Sequence, residues 1–466
     1  MTRVVMIATA RATFATDVAQ ARADEARALL ESLGAEVTGP TTLVMTPEEA
    51  EEAAKYVTGD EDLVVNVCAS FSDATPALRL YSDQERPVLL WSFREPGPTG
   101  DRLWLNSLCG ANLFGHALVR SGVNVRLVYG DPGEAQVRTV LQAALAGTLP
   151  VAPGVPVSQG PRAQQARVRD ALATLSGRRI GLVGEAPPGF TPSEYDGRLL
   201  HDLFGLSIDQ VSIDDFLGEV RSVDAEERDA ELTAACEAHP TLGELDPDHV
   251  EKFAAVTTTL RSWRGSSALR GIAVRCWPEF PTNLGVCPCS ALSRLADEGT
   301  PTACERDVYG AVTMLLLEAL GAGTTYLVDT VDLAAEENLV RLWHCGSAAT
   351  KLAAEGDPAR QDLHCNRKIG VAGNFPLKTG PVVMARITED PARGGLRLLV
   401  AHGESVPEPN RFQGNTAAVR LDADAETFVH GLVTGGFPHH TVLAWTDVRP
   451  QLRTAADLIG IPVVEW

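Results

Sequence analysis

The chain has 466 residues, 45% of them hydrophobic and 22% charged, a length that ordinary domain size divides into about three units of roughly 150 residues. It carries 61 acidic against 40 basic side chains, a formal charge of −21, which repels a phosphate backbone and argues against nucleic-acid partners. No apolar run is long enough to span a bilayer, Met1-Thr2-Arg3-Val4-Val5-Met6-Ile7 lacks the pattern of a secretory signal, and nine scattered cysteines suit a reducing compartment, so the expectation is a cytoplasmic protein with no membrane partner.

From residue 3 to about residue 160, apolar runs at 4–8, 63–67, 88–91 and 123–129 follow one another, with an amphipathic helical pattern at 18–32. Strand–helix–strand repeats predict a parallel α/β sheet. Leu149-Pro150-Val151-Ala152-Pro153-Gly154-Val155-Pro156 reads as a linker. A second α/β unit opens at Arg179-Ile180-Gly181-Leu182-Val183-Gly184 and runs through an acidic helix at 224–238 and an apolar strand at 269–274 to a helix at 307–320 and a strand at 326–328. Beyond about residue 360, short alternating runs at 382–387, 396–401 and 416–421 predict antiparallel strands in a small sheet or barrel. A strand at 441–445, a helix at 449–458 and a strand at 461–464 close the chain. The predicted domains are residues 1–165, 166–345 and 346–466.

The chemistry-bearing residues are few. In Gly435-Gly436-Phe437-Pro438-His439-His440-Thr441-Val442-Leu443, two of the ten histidines stand side by side where a loop enters a strand. Alternation along a strand would send one inward and the other to the opposite face. Glu279, in Cys276-Trp277-Pro278-Glu279-Phe280, follows the 269–274 strand, at the carboxyl end where open α/β sheets place ligands. Asp307 stands at the head of the 307–320 helix, where it reads either as a ligand or as a cap for orphan N–H groups. Two carboxylates and one imidazole would make a hard-metal site with positions left for substrate. Glu305, two residues before Asp307, is a competing candidate or a supporting neighbour. His344, and His364-Cys365-Asn366-Arg367-Lys368, are further candidates with ordinary structural readings beside the functional one. Cys287-Pro288-Cys289 is one residue short of a zinc knuckle and reads as structural.

Taken together these fragments resemble the L-fucose isomerase and L-arabinose isomerase family. Gly435-Gly436-Phe437-Pro438-His439-His440-Thr441 resembles the Gly-Gly-Ala-His-His-Thr of arabinose isomerases with one extra residue, Pro438. Glu305-Arg306-Asp307-Val308-Tyr309-Gly310-Ala311-Val312 is similar to the Glu-Asn-Asp-Ser-Leu-Asn-Gly-Val of fucose isomerases, and the segment from Phe375 to Thr388 to the strand pair that opens their C-terminal barrel. The resemblance implies two Rossmann-like α/β domains followed by a domain containing an antiparallel β-barrel. It implies a divalent metal, usually manganese, on Glu279, Asp307 and His440, with both carboxylates as acid and base, and His344 as an arabinose-isomerase-type fourth ligand. It also implies a homo-oligomer, a trimer or hexamer, in which the N-terminal domain completes a neighbour's pocket, making Arg11 and His439 candidate substrate contacts.

The expected reaction is a metal-dependent aldose–ketose isomerisation of a monosaccharide through an enediol. L-Fucose, D-arabinose and L-arabinose are neutral candidates; a sulfonated hexose such as sulfoquinovose would need a cationic subsite, for which Arg11, Arg367, Lys368 and Lys378 are available. The alternative is a non-catalytic sugar-binding or regulatory protein, which would not need Glu279, Asp307 and His440 to converge. A nucleotide-dependent oxidoreductase is disfavoured because Gly181-Leu182-Val183-Gly184-Glu185 and Gly321-Ala322-Gly323 lack the full Gly-x-Gly-x-x-Gly turn.

Overall fold

The structure is a computed structural model describing residues 2–466. Five parallel strands, β1 (Thr2–Thr9), β2 (Ala35–Thr38), β3 (Leu63–Cys68), β4 (Val88–Ser92) and β5 (Val125–Tyr129), form a sheet in the order β2-β1-β3-β4-β5. The buried, β-branched character of Val4, Val5, Ile7, Val64, Val65 and Val67 follows from helices covering both faces of a parallel sheet. The order reverses between β1 and β3, so a crevice opens beyond their carboxyl ends. The loop carrying Arg11 leaves β1 there, and its Arg11 N–H is tied to Ser70 Oγ (3.0 Å), just past β3.

A second parallel sheet has the order β7-β6-β8-β9, from β6 (Arg179–Val183), β7 (Ser207–Val211), β8 (Leu269–Val274) and β9 (Thr302–Ala303). The remaining strands are β10 (Tyr326–Ala334), β11 (Leu339–His344), β12 (Gln361–Asp362), β13 (Ala372–Gly373), β14 (Phe375–Pro376), β15 (Gly380–Glu389), β16 (Leu396–Val406), β17 (Asn415–Leu421), β18 (His440–Ala444) and β19 (Val463–Glu465). Strands β12 and β13 pair with each other; the other eight form one sheet, β14-β17-β11-β10-β18-β15-β16-β19. It is mixed, since β14–β17 and β16–β19 run parallel while its other pairings are antiparallel. A further antiparallel pairing of β16 with β17 links its two arms. The expected C-terminal strands are therefore present in a mixed sheet, not a purely antiparallel one. The 326–328 strand, assigned from sequence to the central unit, is the start of β10 and belongs to this sheet with β11, because its hydrogen-bonding partners are β11 and β18.

The helix Ser107–Arg120 is buried over nearly its whole circumference, as a helix between two layers must be. One core joins Leu108, Ala111, Phe114 and Leu118 to Val328 and Leu342 of the C-terminal sheet and to Phe428 and Leu432 of the helix Ala425–Thr434. At Gly115 the two helices meet so closely that an added methyl would overlap the carbonyl oxygen of Val433. Gly115→Ala is accordingly expected to destabilise by about 1–3 kcal/mol, as overpacking does, lowering the denaturant midpoint seen by far-UV circular dichroism.

Candidate metal centre and active site

One pocket collects the carboxyl ends of both parallel sheets and residues of two interior strands of the mixed sheet, β10 and the entry to β18. Arg11 and Phe71 reach it from the first sheet, Trp277 and Glu305 from the second, Asp329 and His439 from the third. The N-terminal unit thus lines the pocket of its own chain.

Glu305 owes its position to an unusual turn. After β9 the chain makes a single tight turn, Cys304–Arg306, before the helix Val308–Ala319. Glu305 and Arg306 adopt φ of 57° and 62°, left-handed values that cost non-glycine residues about 1–3 kcal/mol each. The turn is anchored by Arg306, whose Nε donates to the carbonyl of Gly184 (2.8 Å) and whose Nη1 donates to that of Ser193 (2.9 Å). Glu305 is thereby aimed into the pocket, where Trp277 Nε1 donates to it at 3.2 Å.

Asp329 and His440 are directly opposite residues of β10 and β18, and so share one face of the sheet. His440 Nε2 lies 3.3 Å from Asp329 Oδ1 and 3.2 Å from Glu305 Oε2. Although buried, His440 Nε2 and Asp329 Oδ1 have no hydrogen-bond partner of proper geometry. The ligand atoms of Glu305, His439 and His440 lie within 4.8 Å of one another, as do those of Asp329, His344 and His440, so His440 is common to two groups able to hold a metal.

Asp307 works from behind. Fully buried, it caps the helix Val308–Ala319 through Gly310 N–H (2.8 Å), accepts from Arg386 Nη2 (2.8 Å) and contacts Arg386 Nη1 as well. Its Oδ2 is 2.8 Å from His440 Nδ1. Burial opposes ionisation of Asp307, but Arg386 and His440 outweigh it and hold the carboxyl well below its ordinary range. An ionised carboxylate only accepts, so His440 Nδ1 carries a proton toward Asp307, and Nε2, facing Glu305 and Asp329, would be the nitrogen that gives up its proton to ligate a cation held between them. Asp307, expected as a ligand, is instead enclosed by donors and orients the imidazole.

The electrostatics ask for a cation. Against the cost of burial, the carboxylates of Asp307, Glu305 and Asp329 raise His440 to about 10, so the ring holds a proton on each nitrogen until a cation displaces the one on Nε2. Burial likewise opposes ionisation of Glu305, yet the nearby imidazoles of His439 and His440 keep its carboxyl well below the usual range. Asp329 is pushed the other way, mainly by burial; His440 opposes this and the charges of Glu305 and Asp307 add to it. A positive charge between two buried carboxylates removes that conflict, and two carboxylates with one imidazole suit a hard divalent ion.

The other predicted residues fall as follows. His344 Nδ1 accepts the Cys345 N–H (2.9 Å) while its buried Nε2 is unpartnered. Burial and the nearby His440 lower it to about 3, so its ring is neutral, and it belongs with Asp329 and His440 to one of the metal-capable groups. His439 precedes the first paired residue of β18, so strand alternation does not separate it from His440. Their ring centroids are 4.2 Å apart, and His439 Nε2 is 3.9 Å from Glu305 Oε2. Glu279 is the correction: both its oxygens are taken by Arg275, at 2.9 and 2.6 Å, and it joins none of the metal-capable groups among the described residues. Cys287 and Cys289 are buried against Ala372 in the pocket wall, as a structural pair.

The comparisons with known proteins follow this geometry. Residues 342–466 match the family described as L-fucose isomerase, C-terminal domain. A sulfoquinovose isomerase of Alkalicoccus urumqiensis is 34% identical over 466 residues, covering 100% of this chain and 99% of that protein. The chain belongs to the L-fucose isomerase-like family. A second sulfoquinovose isomerase, from Priestia aryabhattai, is 30% identical over 99% of this chain and 98% of its own length. An L-arabinose isomerase of Aeromonas hydrophila is 28% identical over 222 residues, 46% of this chain. The fucose isomerase-like chain described here is accordingly an aldose–ketose isomerase, and the binding-protein alternative falls away. No helix among its described residues is long and apolar enough to cross a membrane.

Proposed function

We propose that this enzyme interconverts the aldose and ketose forms of a sulfonated hexose, sulfoquinovose in particular, with a divalent metal such as manganese held by Glu305, Asp329 and His440. The observation that carries the metal site is the convergence of two unpartnered buried atoms, Asp329 Oδ1 and His440 Nε2, beside the Glu305 carboxylate. The substrate assignment is supported by relatives of that activity matching nearly end to end. When bound, the metal supplies positive charge to the two oxygens of the C1–C2 unit.

The side chains divide the proton transfers. Glu305, kept ionised by the donors around it, takes the proton from C2 of the aldose and returns it to C1. Asp329, ionised when it holds the metal, relays the hydroxyl proton by accepting it from O2 and passing it to O1. Asp307 and Arg386 hold His440 in one tautomer, and Phe71, Phe190 and Trp277, packed around the histidines and one another, exclude water.

Proton NMR of sulfoquinovose with the enzyme and manganese in deuterated water tests this. Ketose carrying deuterium at C1, and aldose regaining it at C2 on back-reaction, is expected. Conversion without deuterium would rule out proton exchange through Glu305, and absence of conversion would remove sulfoquinovose as the substrate. Chelator treatment is expected to abolish turnover and manganese to restore it.

A further inference from the structure

Half-buried and buried arginines of this chain are typically neutralised: Arg94 by Glu134, Arg341 by Asp332 and Glu408, Arg386 by Asp307, Arg453 by Glu465. Arg11 and Arg367 differ. Both line the pocket of Glu305 and Asp329, and among the described residues neither guanidinium makes a hydrogen bond or has a carboxylate oxygen within 4.0 Å. Burial lowers the proton affinity of Arg11, Asp73 partly offsets this, and the charge of Arg367 lowers it again. Glu305 offsets this further, but only at a distance; two half-buried like charges facing one pocket with no carboxylate in direct contact are costly, and a bound anion would lower that cost.

Both are built into fixed backbone. Arg11 leaves β1 at the point where strand order reverses, and its guanidinium lies 4.5 Å from the centroid of Trp277, the ring whose Nε1 binds Glu305. Arg367 sits in a turn held by His364 Nδ1, which accepts the N–H groups of Asn366 and Arg367 at 3.2 and 3.3 Å. The other cations are placed elsewhere: Lys368 is exposed and donates to Gln413, and Lys378 lies over Trp445.

We propose that Arg11 and Arg367 form an anion subsite that receives the sulfonate of the substrate while the C1–C2 end meets Glu305 and Asp329. This rests on the sulfonated-hexose reading above. A sulfonate offers three equivalent oxygens to two planar guanidinium forks, whereas a lysine presents a point charge.

Two measurements test it separately. Steady-state kinetics compare sulfoquinovose with 6-deoxy-D-glucose, which lacks only the sulfonate. In Arg11→Gln and Arg367→Gln the preference for the sulfonated sugar is expected to fall about 10- to 100-fold, through KM more than kcat, as loss of a charge-assisted contact does. Arg11→Lys and Arg367→Lys should recover part of it. If the wild type turns over sulfoquinovose and the variants keep its preference, the subsite is wrong and the substrate reading stands. Ligand-observed NMR with 2-hydroxyethanesulfonate is independent of turnover: saturation transfer in the wild type, lost in the Gln variants, is expected. No transfer in the wild type, or equal transfer in all proteins, overturns the subsite whatever the enzyme isomerises.

Discussion

Glu305→Gln is expected to lower kcat by ~10²–10⁴-fold, the usual contribution of a positioned proton-transfer group, and to stop solvent deuterium entering C1 of the ketose. The amide keeps the size of the side chain and can still accept from Trp277 Nε1, so the left-handed turn at Glu305 and Arg306 keeps its anchors to Gly184 and Ser193. What is lost is the negative charge facing His440 Nε2. Manganese affinity, read by isothermal titration, should fall with it. Glu279→Gln is the informative contrast. Glu279 is spent on a largely buried ion pair with Arg275, so its substitution should cost stability by leaving Arg275 without its counter-charge, yet leave kcat of the folded enzyme within about twofold of the wild type, below anything a proton-transfer group contributes. If Glu279→Gln instead lost the activity and Glu305→Gln kept it, the metal centre drawn here would be misplaced.

That contrast shows what could be read from the sequence. The α/β alternation and the C-terminal strands were legible because hydrophobic period and turn residues are local signals. So was the importance of His439 and His440, two adjacent imidazoles in an otherwise apolar segment. The carboxylates were harder. Glu279 does stand beyond the carboxyl end of a buried parallel strand, as the ligand rule requires, but Arg275, four residues earlier, closes on it. Between Glu305 and Asp307 the choice depends on a left-handed turn at Glu and Arg, which no residue preference announces. Asp329 had a signal that was passed over. In Tyr326-Leu327-Val328-Asp329-Thr330-Val331 an acid interrupts an apolar strand, and a reading that ends the strand at Val328 turns a buried carboxylate into a loop residue. An unpaired acid inside a buried strand is costly and therefore informative. The sharing of β10 and β11 between distant partners, β17 and β18, was not local information at all.

Asp307→Asn is the second large effect, and it separates support from ligation. Among the described residues Asp307 is the sole acidic partner of the buried Arg386 in its ion pair, so removing its charge is expected to destabilise by about 3–5 kcal/mol, the range for breaking a buried pair from one side. The amide also brings N–H donors where only acceptors stood. An N–H facing His440 Nδ1 would keep the imidazole proton on Nε2, the nitrogen that must give it up to ligate a cation between Glu305 and Asp329. Manganese affinity is then expected to fall by ~10–100-fold, typical for loss of a group that orients a ligand. Stability alone would not distinguish the two roles. The double variant Asp307→Asn, Arg386→Met does, because it removes the uncompensated cation together with its counter-ion while leaving the wrong tautomer. Its unfolding midpoint should recover toward the wild type, and its manganese affinity should not. Recovery of both would mean that Asp307 merely neutralises Arg386. Recovery of stability alone would assign to Asp307 the orientation of His440, and with it a place in the chemistry that its burial behind the ligands otherwise hides.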